Sequence, residues 1–147
     1  MKIRLISIAK RTSKTSAMDE LSSEYVKRAG RYGSVELCEL ASEEALLKSL
    51  ERVGRTAPVL VALDSRGKQM SSEELAEFVR THMERGSQEL IFAIGPADGW
   101  TATLARAQYT LSLGRITLPH ELARVVLAEQ IYRAFTILNN HPYHGGH

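Results

Sequence analysis

The spacing of apolar residues along the chain switches repeatedly between a period of two and a period of about three and a half. The first spacing is typical of strands and the second of amphipathic helices. Strands that alternate with helices predict an α/β fold with a mostly parallel sheet and flanking helices. The predicted strands are 3–8, 35–40, 58–63, 89–94 and 109–113, and the predicted helices are 18–31, 42–52, 71–85, a short one from 101, and 119–138.

Two local patterns support this assignment. Pro58-Val-Leu-Val-Ala-Leu63 is a continuous apolar run, which is typical of a strand buried on both faces of a parallel sheet. Ser71 stands three residues before Glu74, and this spacing predicts a capping box in which each side chain satisfies an exposed amide of the other residue. A helix is therefore expected to begin just after Ser71.

Length and composition narrow the class of protein. The chain has 147 residues without a linker, repeat or low-complexity segment, so we expect one domain over residues 1–147. No stretch approaches the roughly 18 apolar residues of a membrane span, and Cys38 is the only cysteine, as is usual in the cytoplasm. A net charge of +2 permits an RNA partner but does not by itself indicate one.

The segments that follow three of the predicted strands are candidates for a ligand site, because an open parallel sheet binds its ligands beyond the carboxyl ends of its strands. Gly95 and Gly99 follow one strand, Gly114 follows another, and Leu63 ends a third. Strand-to-helix turns often need glycine for purely structural reasons, but Gly95, Gly99 and Gly114 together at one edge favour a ligand held by backbone groups. Phosphate-binding glycine motifs are absent from the sequence, which favours an adenosine-like ligand over a dinucleotide or triphosphate.

The last predicted helix, 119–138, is apolar on nearly all sides. Such a helix must be buried on nearly all sides, so we expect part of it to pack against a second copy in a homodimer. Arg124 falls inside the apolar arc and needs an anionic partner, which is a carboxylate, the chain terminus or a phosphate. Glu129 and Arg133 are four residues apart, which suits a surface ion pair as well as a role in substrate binding.

The chain ends in a tail with His141, Tyr143, His144 and His147. Three imidazoles without a matching carboxylate or thiol form a weak metal-ligand set, so we expect no metal. A solvated terminus without function is one interpretation. The other is a tail that lines a site, where imidazole and phenol bind phosphate, stack on a base or move a proton.

These segments together resemble a known family. Leu113-Gly-Arg-Ile-Thr-Leu-Pro-His120, then Arg124-Val-Val-Leu-Ala-Glu-Gln-Ile-Tyr-Arg-Ala-Phe135, and finally His141-Pro-Tyr-His144 closely resemble the SPOUT-class pseudouridine methyltransferases of the ribosomal large subunit. The likeness extends to the Met1-Lys-Ile start, Leu63-Asp64, Gly67-Lys68 and the turn from Gly95 to Gly99. It implies an α/β sheet with a C-terminal trefoil knot, working as a homodimer.

The resemblance also implies a cofactor and its contacts. S-adenosyl-L-methionine is expected at Leu63, at Gly95 and along Leu113, Gly114, Arg115, Ile116, Thr117 and Leu118. Two positions depart from the family pattern. Pro96 stands where a second glycine is common and removes an amide donor, and Gly145-Gly-His147 replaces a basic residue after the tail.

The implied reaction is methylation of N3 of a pseudouridine in the 23S rRNA of the assembled ribosome. The protein must then exclude water, align the reacting atoms and favour loss of the N3 proton. Candidate residues are Arg124 and Arg133 for RNA phosphate, His141 and His144 for orienting the base or moving its proton, with His144 also near the RNA, and Tyr143 for stacking. The alternative is a non-catalytic module that binds RNA or the ribosome, which the loss of an amide at Pro96 would favour.

Overall fold

The computed structural model describes residues 1–9, 16–51, 56–96 and 98–144. Strands and helices alternate along them, and their boundaries lie within a few residues of those predicted, except for one longer strand. The strands are β1 Lys2–Ile8, β2 Ser34–Leu40, β3 Val59–Gln69, β4 Glu89–Ile94 and β5 Tyr109–Ser112. The helices are α1 Ala17–Ala29, α2 Glu43–Ser49, α3 Ser72–Glu84, α4 Thr103–Arg106 and α5 His120–Leu138, followed by a 3₁₀ turn at Pro142–His144.

The five strands form one sheet in the order β2-β1-β4-β3-β5, and each neighbouring pair is parallel. The predicted α/β architecture is therefore confirmed. β4 lies inside the sheet and all of its residues are buried, which explains the apolar sequence from Leu90 to Ile94. The trefoil knot stays a prediction from the family resemblance.

Helices cover both faces of the sheet. On one face α1, α3 and α5 pack over a core that includes Leu5, Phe92 and Ile131. On the other face Leu46 of α2 packs with Ile6 and its neighbours in a smaller core. Successive strand residues point to opposite faces, so neighbouring positions of β1 serve the two cores in turn.

The N-termini of two helices are closed by capping boxes. Ser71 accepts from the backbone N–H of Glu74 at 3.0 Å, and the Glu74 carboxylate accepts from the backbone N–H of Ser71 at 2.9 Å. This confirms the predicted start of α3. Ser16 and Asp19 close α1 in the same way. Each box satisfies amides that the first helical turn leaves without partners.

β3 is longer than the sequence predicted. It is irregular between Leu63 and Lys68, then pairs again with β5 through Lys68 and Gln69. The intervening segment passes very close to β5, because a Cβ built at Gly67 would lie 2.8 Å from the backbone of Leu111 and of Thr110. Only glycine fits this crossing without displacing a backbone.

The burial of α5 corrects the argument that this helix needs a second copy to cover its apolar surface. Every residue from Leu122 to Leu138 is buried or half-buried within a single chain, because α5 packs against α1, α3 and the sheet. The helix therefore does not need a second copy to cover its apolar surface. The homodimer stays a prediction that requires other support.

No helix in the described part of the chain is long and apolar enough to cross a membrane.

Replacing Gly67 by alanine should destabilise the fold. The new methyl group would meet two backbone segments of β5, so we expect a loss of about 2 kcal/mol in the free energy of unfolding, as for an overpacked core. Urea unfolding of Gly67→Ala measures it. Ser65→Ala, at an exposed position in the same segment, is the matched control and should change stability by less than about 0.5 kcal/mol. Equal stability of both variants would show that β5 does not lie so close.

Candidate functional site

The carboxyl ends of β4, β3 and β5 are neighbours at one edge of the sheet. β3 lies between the other two strands, and all three are parallel. Leu63 is the last residue of β3 before its irregular part, and it pairs with Leu111 of β5. Leu63, Gly95 and Leu113 therefore lie at the same edge, as the sequence predicted. This edge of a parallel sheet is where backbone groups left over from strand pairing meet a ligand.

Trp100 joins two of these ends. Its indole Nε1 donates a hydrogen bond to the backbone carbonyl of Leu63 at 2.8 Å. A Cβ built at Gly95 would lie only 2.8 Å from the same ring, so the indole rests directly on the Gly95 backbone. Sequence reasoning did not select Trp100. The available signal was that the only tryptophan of the chain follows the glycine turn.

Ser112 organises the third strand end. Its hydroxyl accepts from the backbone N–H of Gly114 at 3.1 Å and lies within donating distance of the carbonyls of Ser65 (3.2 Å) and Gly114 (3.1 Å). Gly114 has φ +118°, a conformation that favours glycine. The buried Ser112 thus fixes the turn that begins the 113–118 segment, a role that was not predicted from the sequence.

The 113–118 segment presents backbone rather than packed side chains at this edge. Arg115 and Thr117 are exposed and Ile116 is 81% exposed, whereas Leu113 and Leu118 are half-buried. A pocket of about 350 Å³ opens beside the segment toward α3 and α5. Its lining includes Met70, Ser72, Leu75, Leu113, Gly114 and Gln130.

Asp64, directly after Leu63, is ionised at this edge. It accepts from the backbone N–H of Arg66 at 2.8 Å, which lowers the pKa of the Asp64 carboxyl, and the exposed Arg66 guanidinium adds to the effect. The turn after β4 is closed by a hydrogen bond from the Gly99 N–H to the Pro96 carbonyl at 2.9 Å. Pro96 thus takes part in this turn as an acceptor.

The tail folds back at the end of α5. Asn140 adopts φ +55°, the His141 N–H donates to the Thr136 carbonyl at 2.8 Å, and the Asn140 N–H donates to the Ile137 carbonyl. This pattern is a Schellman motif, which ends a helix and reverses the chain. The tail is therefore held to α5 by backbone hydrogen bonds.

Aromatic contacts then fix Tyr143. Its ring lies 4.6 Å from that of Tyr132, and the Arg133 guanidinium lies 5.0 Å from its centroid. Burial raises the pKa of the Tyr143 hydroxyl, so the phenol stays protonated at neutral pH. Burial opposes the charge of Arg133, but its 2.6 Å bond to Glu129 raises the pKa of the guanidinium. Tyr143 and Arg133 thus form one unit at the end of α5.

The tail and the three strand ends lie at opposite edges of the sheet. Tyr32 directly precedes β2 and therefore marks the edge where the strands begin. His141 lies beside Tyr32, with ring centroids 6.5 Å apart, and Tyr32 also stacks on Phe135. α5 has 19 residues and therefore spans about 28 Å between the two edges. The structure does not bring His141 and Tyr143 together with Leu63, Gly95 and the 113–118 segment within one chain.

Arg124 lies near the start of α5 and is 6% exposed. Its guanidinium forms ion pairs with Asp19 at the start of α1 and, at 2.5 Å, with Glu39 near the end of β2. The predicted need for an anionic partner is confirmed, and the partners are carboxylates of the same chain. These two carboxylates already pair with the guanidinium, so an RNA phosphate would compete with them. A contact between Arg124 and RNA phosphate stays a prediction.

The rest of the tail is described only in part. The backbone of His144 belongs to the 3₁₀ turn, whereas Gly145, Gly146 and His147 lie outside the described residues. Within residues 1–9, 16–51, 56–96 and 98–144, no group of three or more His, Cys, Asp and Glu side chains is placed to hold a metal ion.

The sequence comparisons with known proteins agree on one family, and a solved structure shares the fold. The family described as predicted SPOUT methyltransferase matches residues 1–144. A Koribacter versatilis protein named ribosomal RNA large subunit methyltransferase H is 60% identical over 148 residues and covers 100% of both chains. A Chromobacterium violaceum protein of the same name is 41% identical and covers 98% of this chain and 99% of its own. A probable methylase family protein from Haemophilus influenzae shares the fold, with a TM-score of 0.55, 18% identity and coverage of 96% of this chain and 69% of its own.

Removing the Arg124 guanidinium should destabilise the protein. Arg124→Ala leaves Asp19 and Glu39 without their counter-charge, so we expect a loss of about 2 kcal/mol, less than for a fully buried pair because both carboxylates are partly exposed. Urea unfolding measures the change. Arg80→Ala removes an exposed arginine that pairs with Glu77 and Glu84 on α3, and it should cost less than about 1 kcal/mol. Similar losses for both variants would contradict a structural role for Arg124.

Proposed function

Because this chain belongs to the SPOUT methyltransferase family, we propose that it transfers a methyl group from S-adenosyl-L-methionine to RNA of the large ribosomal subunit. The observation that carries the proposal is 60% identity, over the whole of both chains, to a protein named for this activity. The proposed target is N3 of a pseudouridine in the 23S rRNA of the assembled ribosome. Such a substrate places the protein in the cytoplasm.

The residues at the carboxyl edge fit the proposed cofactor. Leu63, Gly95 and the 113–118 segment offer backbone amides and carbonyls at three adjacent strand ends, which suits the polar edges of an adenosine group. S-adenosyl-L-methionine, when bound, supplies an electrophilic methyl group on a sulfonium. Pro96 lacks an amide donor, so position 96 offers the cofactor no backbone N–H.

We infer that the working enzyme is a homodimer whose site combines residues of two chains. We call Leu63, Gly95 and the 113–118 segment the cofactor edge. About 28 Å of helix separates the tail from the cofactor edge of the same chain, which is too far for His141 or Tyr143 to touch a base held there. A second copy whose tail reaches this edge removes the difficulty. The modest charge of +2 per chain supports the same arrangement, since two chains together present more positive charge to RNA.

In this composite site the proposed role of the tail is to orient the nucleobase and to accept its N3 proton. During transfer, N3 of the base gains a methyl group and loses its proton, so a hydrogen-bonding and proton-accepting group must face the base. His141 Nδ1 accepts from the Tyr143 N–H at 3.2 Å, which leaves Nε2 to carry the proton of the neutral ring. His141 is then suited to donate to a base carbonyl and orient it, and His144 becomes the proposed proton acceptor.

Tyr143 is proposed to stack on the base, and Arg133 is proposed to contact the RNA backbone. The Tyr143 ring, held between Tyr132 and the Arg133 guanidinium, offers an aromatic surface for stacking. Arg133 keeps a positive charge beside that surface for a phosphate group, although Glu129 holds its Nε. Arg124 lies near the start of α5, close to the cofactor edge, and its role there is to fix the position of the helix through its two ion pairs.

Binding of the cofactor is the first expected result. At S-adenosyl-L-methionine concentrations one hundred times its dissociation constant, the folded state should gain about 2.7 kcal/mol, which raises the melting temperature. With labelled cofactor, the intact protein should methylate ribosomes that lack the modification. Ribosome binding without cofactor binding or transfer would instead support the non-catalytic module that Pro96 favours.

A mixture of two inactive variants tests whether two chains share the site. One variant lacks residues 141–147, and the other carries Gly114→Val, which forces a β-branched residue into φ +118° at the cofactor edge. We expect each variant alone to be inactive, because one lacks the tail and the other the cofactor contacts. Co-refolded heterodimers should recover transfer, since they contain one intact cofactor edge and one intact tail.

The truncated variant should still bind the cofactor and keep its melting temperature within a few degrees, which controls for misfolding. Failure of the mixture to recover any transfer, despite heterodimers detected by mass, would contradict a site shared between chains. Full activity of the truncated variant alone would refute the role of the tail.

A further inference from the structure

Trp100 connects two strand ends that the proposed function assigns to the cofactor. Its Nε1 bonds to the Leu63 carbonyl at 2.8 Å, and its ring lies against the Gly95 backbone. The side chain is half-buried and packs beside the smaller core on the α2 face of the sheet. One side chain thus fixes the end of β3 relative to the end of β4.

Glu43, the first residue of α2, holds the backbone that directly follows Trp100. The Glu43 carboxylate accepts from the backbone N–H groups of Thr101 (3.0 Å), Ala102 (2.8 Å) and Thr103 (2.6 Å), and from the Thr101 hydroxyl (2.6 Å). Burial opposes the charge, but the bonds from Thr101 and Thr103 lower the pKa of the Glu43 carboxyl to about 2. Glu43 is therefore ionised at any pH near neutrality and anchors the residue next to Trp100.

We propose that Trp100 is a positioning residue for the cofactor site. A carbonyl oxygen accepts two hydrogen bonds, and the indole N–H occupies one acceptor direction of the Leu63 oxygen. The indole thereby fixes the orientation of this carbonyl group before any ligand arrives. Because the ring also holds Gly95 in place, the two strand ends are already arranged for binding in the free protein, which lowers the cost of ordering them. This inference rests on the proposed function.

The contact of the indole with Gly95 gives the inference a second consequence. Any side chain at position 95 would collide with the ring, so the glycine and the tryptophan depend on each other. A residue that only filled the core would affect stability. A positioning residue affects cofactor affinity as well, and it leaves recognition of the RNA unchanged.

Trp100→Phe separates these two effects. Phenylalanine keeps an aromatic ring over Gly95 but removes the N–H that holds Leu63. We expect the KM for S-adenosyl-L-methionine to rise about five-fold, the factor that corresponds to one hydrogen bond, while the KM for ribosomes stays the same. Phe78→Leu, on α3 at the opposite face of the sheet, is the matched control. It should lower the melting temperature without changing either KM.

The wild-type protein provides a second measurement that needs no variant. Trp100 is the only tryptophan, so its fluorescence reports on this edge alone. Titration with S-adenosylhomocysteine, the demethylated product, should quench or shift the emission and saturate at the dissociation constant that calorimetry gives.

Three outcomes overturn the inference. If calorimetry shows binding but the emission does not change and Trp100→Phe keeps the wild-type KM, Trp100 is a core residue and the proposed function stands. If the KM for S-adenosyl-L-methionine rises equally in Phe78→Leu, the effect is one of stability. If the wild type neither binds the cofactor nor transfers a methyl group, the proposed function and this inference both fail.

Discussion

The direction of α5 determines how the proposed site is built. In a parallel sheet each strand ends at the same edge, so the helix that follows β5 begins at this edge and runs to the opposite one. α5 therefore separates the backbone groups of the 113–118 segment from the tail by about 28 Å. Because the separation follows from the connectivity, the side chains of the tail cannot reach the cofactor edge of their own chain by a local rearrangement. A second chain is the simple solution.

Both ends of α5 are fixed, which makes the separation a property of the folded chain. At the start, Arg124 joins α5 to α1 and β2 through Asp19 and Glu39. At the other end, a Schellman motif and the packing of Tyr143 on Tyr132 hold the tail against the helix. The strand ends have their own supports, in which the Trp100 indole, the Ser112 hydroxyl and the half-buried Glu43 carboxylate bond to backbone groups. The proposed site thus consists largely of backbone atoms that neighbouring side chains hold in place.

Local patterns predicted much of this fold. The apolar run from Pro58 to Leu63 and the capping box at Ser71 were enough to predict a buried strand and the start of a helix, because both patterns consist of residues that are close in sequence. The common edge of the three strand ends followed from the parallel order. Long-range contacts were not predictable in this way. The crossing at Gly67, the indole of Trp100 and the burial of α5 by α1 and α3 all depend on which distant segments meet, and no local spacing encodes that.

The central claim is that methyl transfer needs two chains. The most direct measurement is the initial rate of transfer per chain as the enzyme is diluted, compared with the dimer fraction from sedimentation at the same concentrations. The account predicts that the rate per chain falls in step with the dimer fraction and that added catalytically inactive, tail-containing chains restore it. A rate per chain that stays constant where sedimentation shows monomers would contradict the account, because a single chain would then hold a complete site.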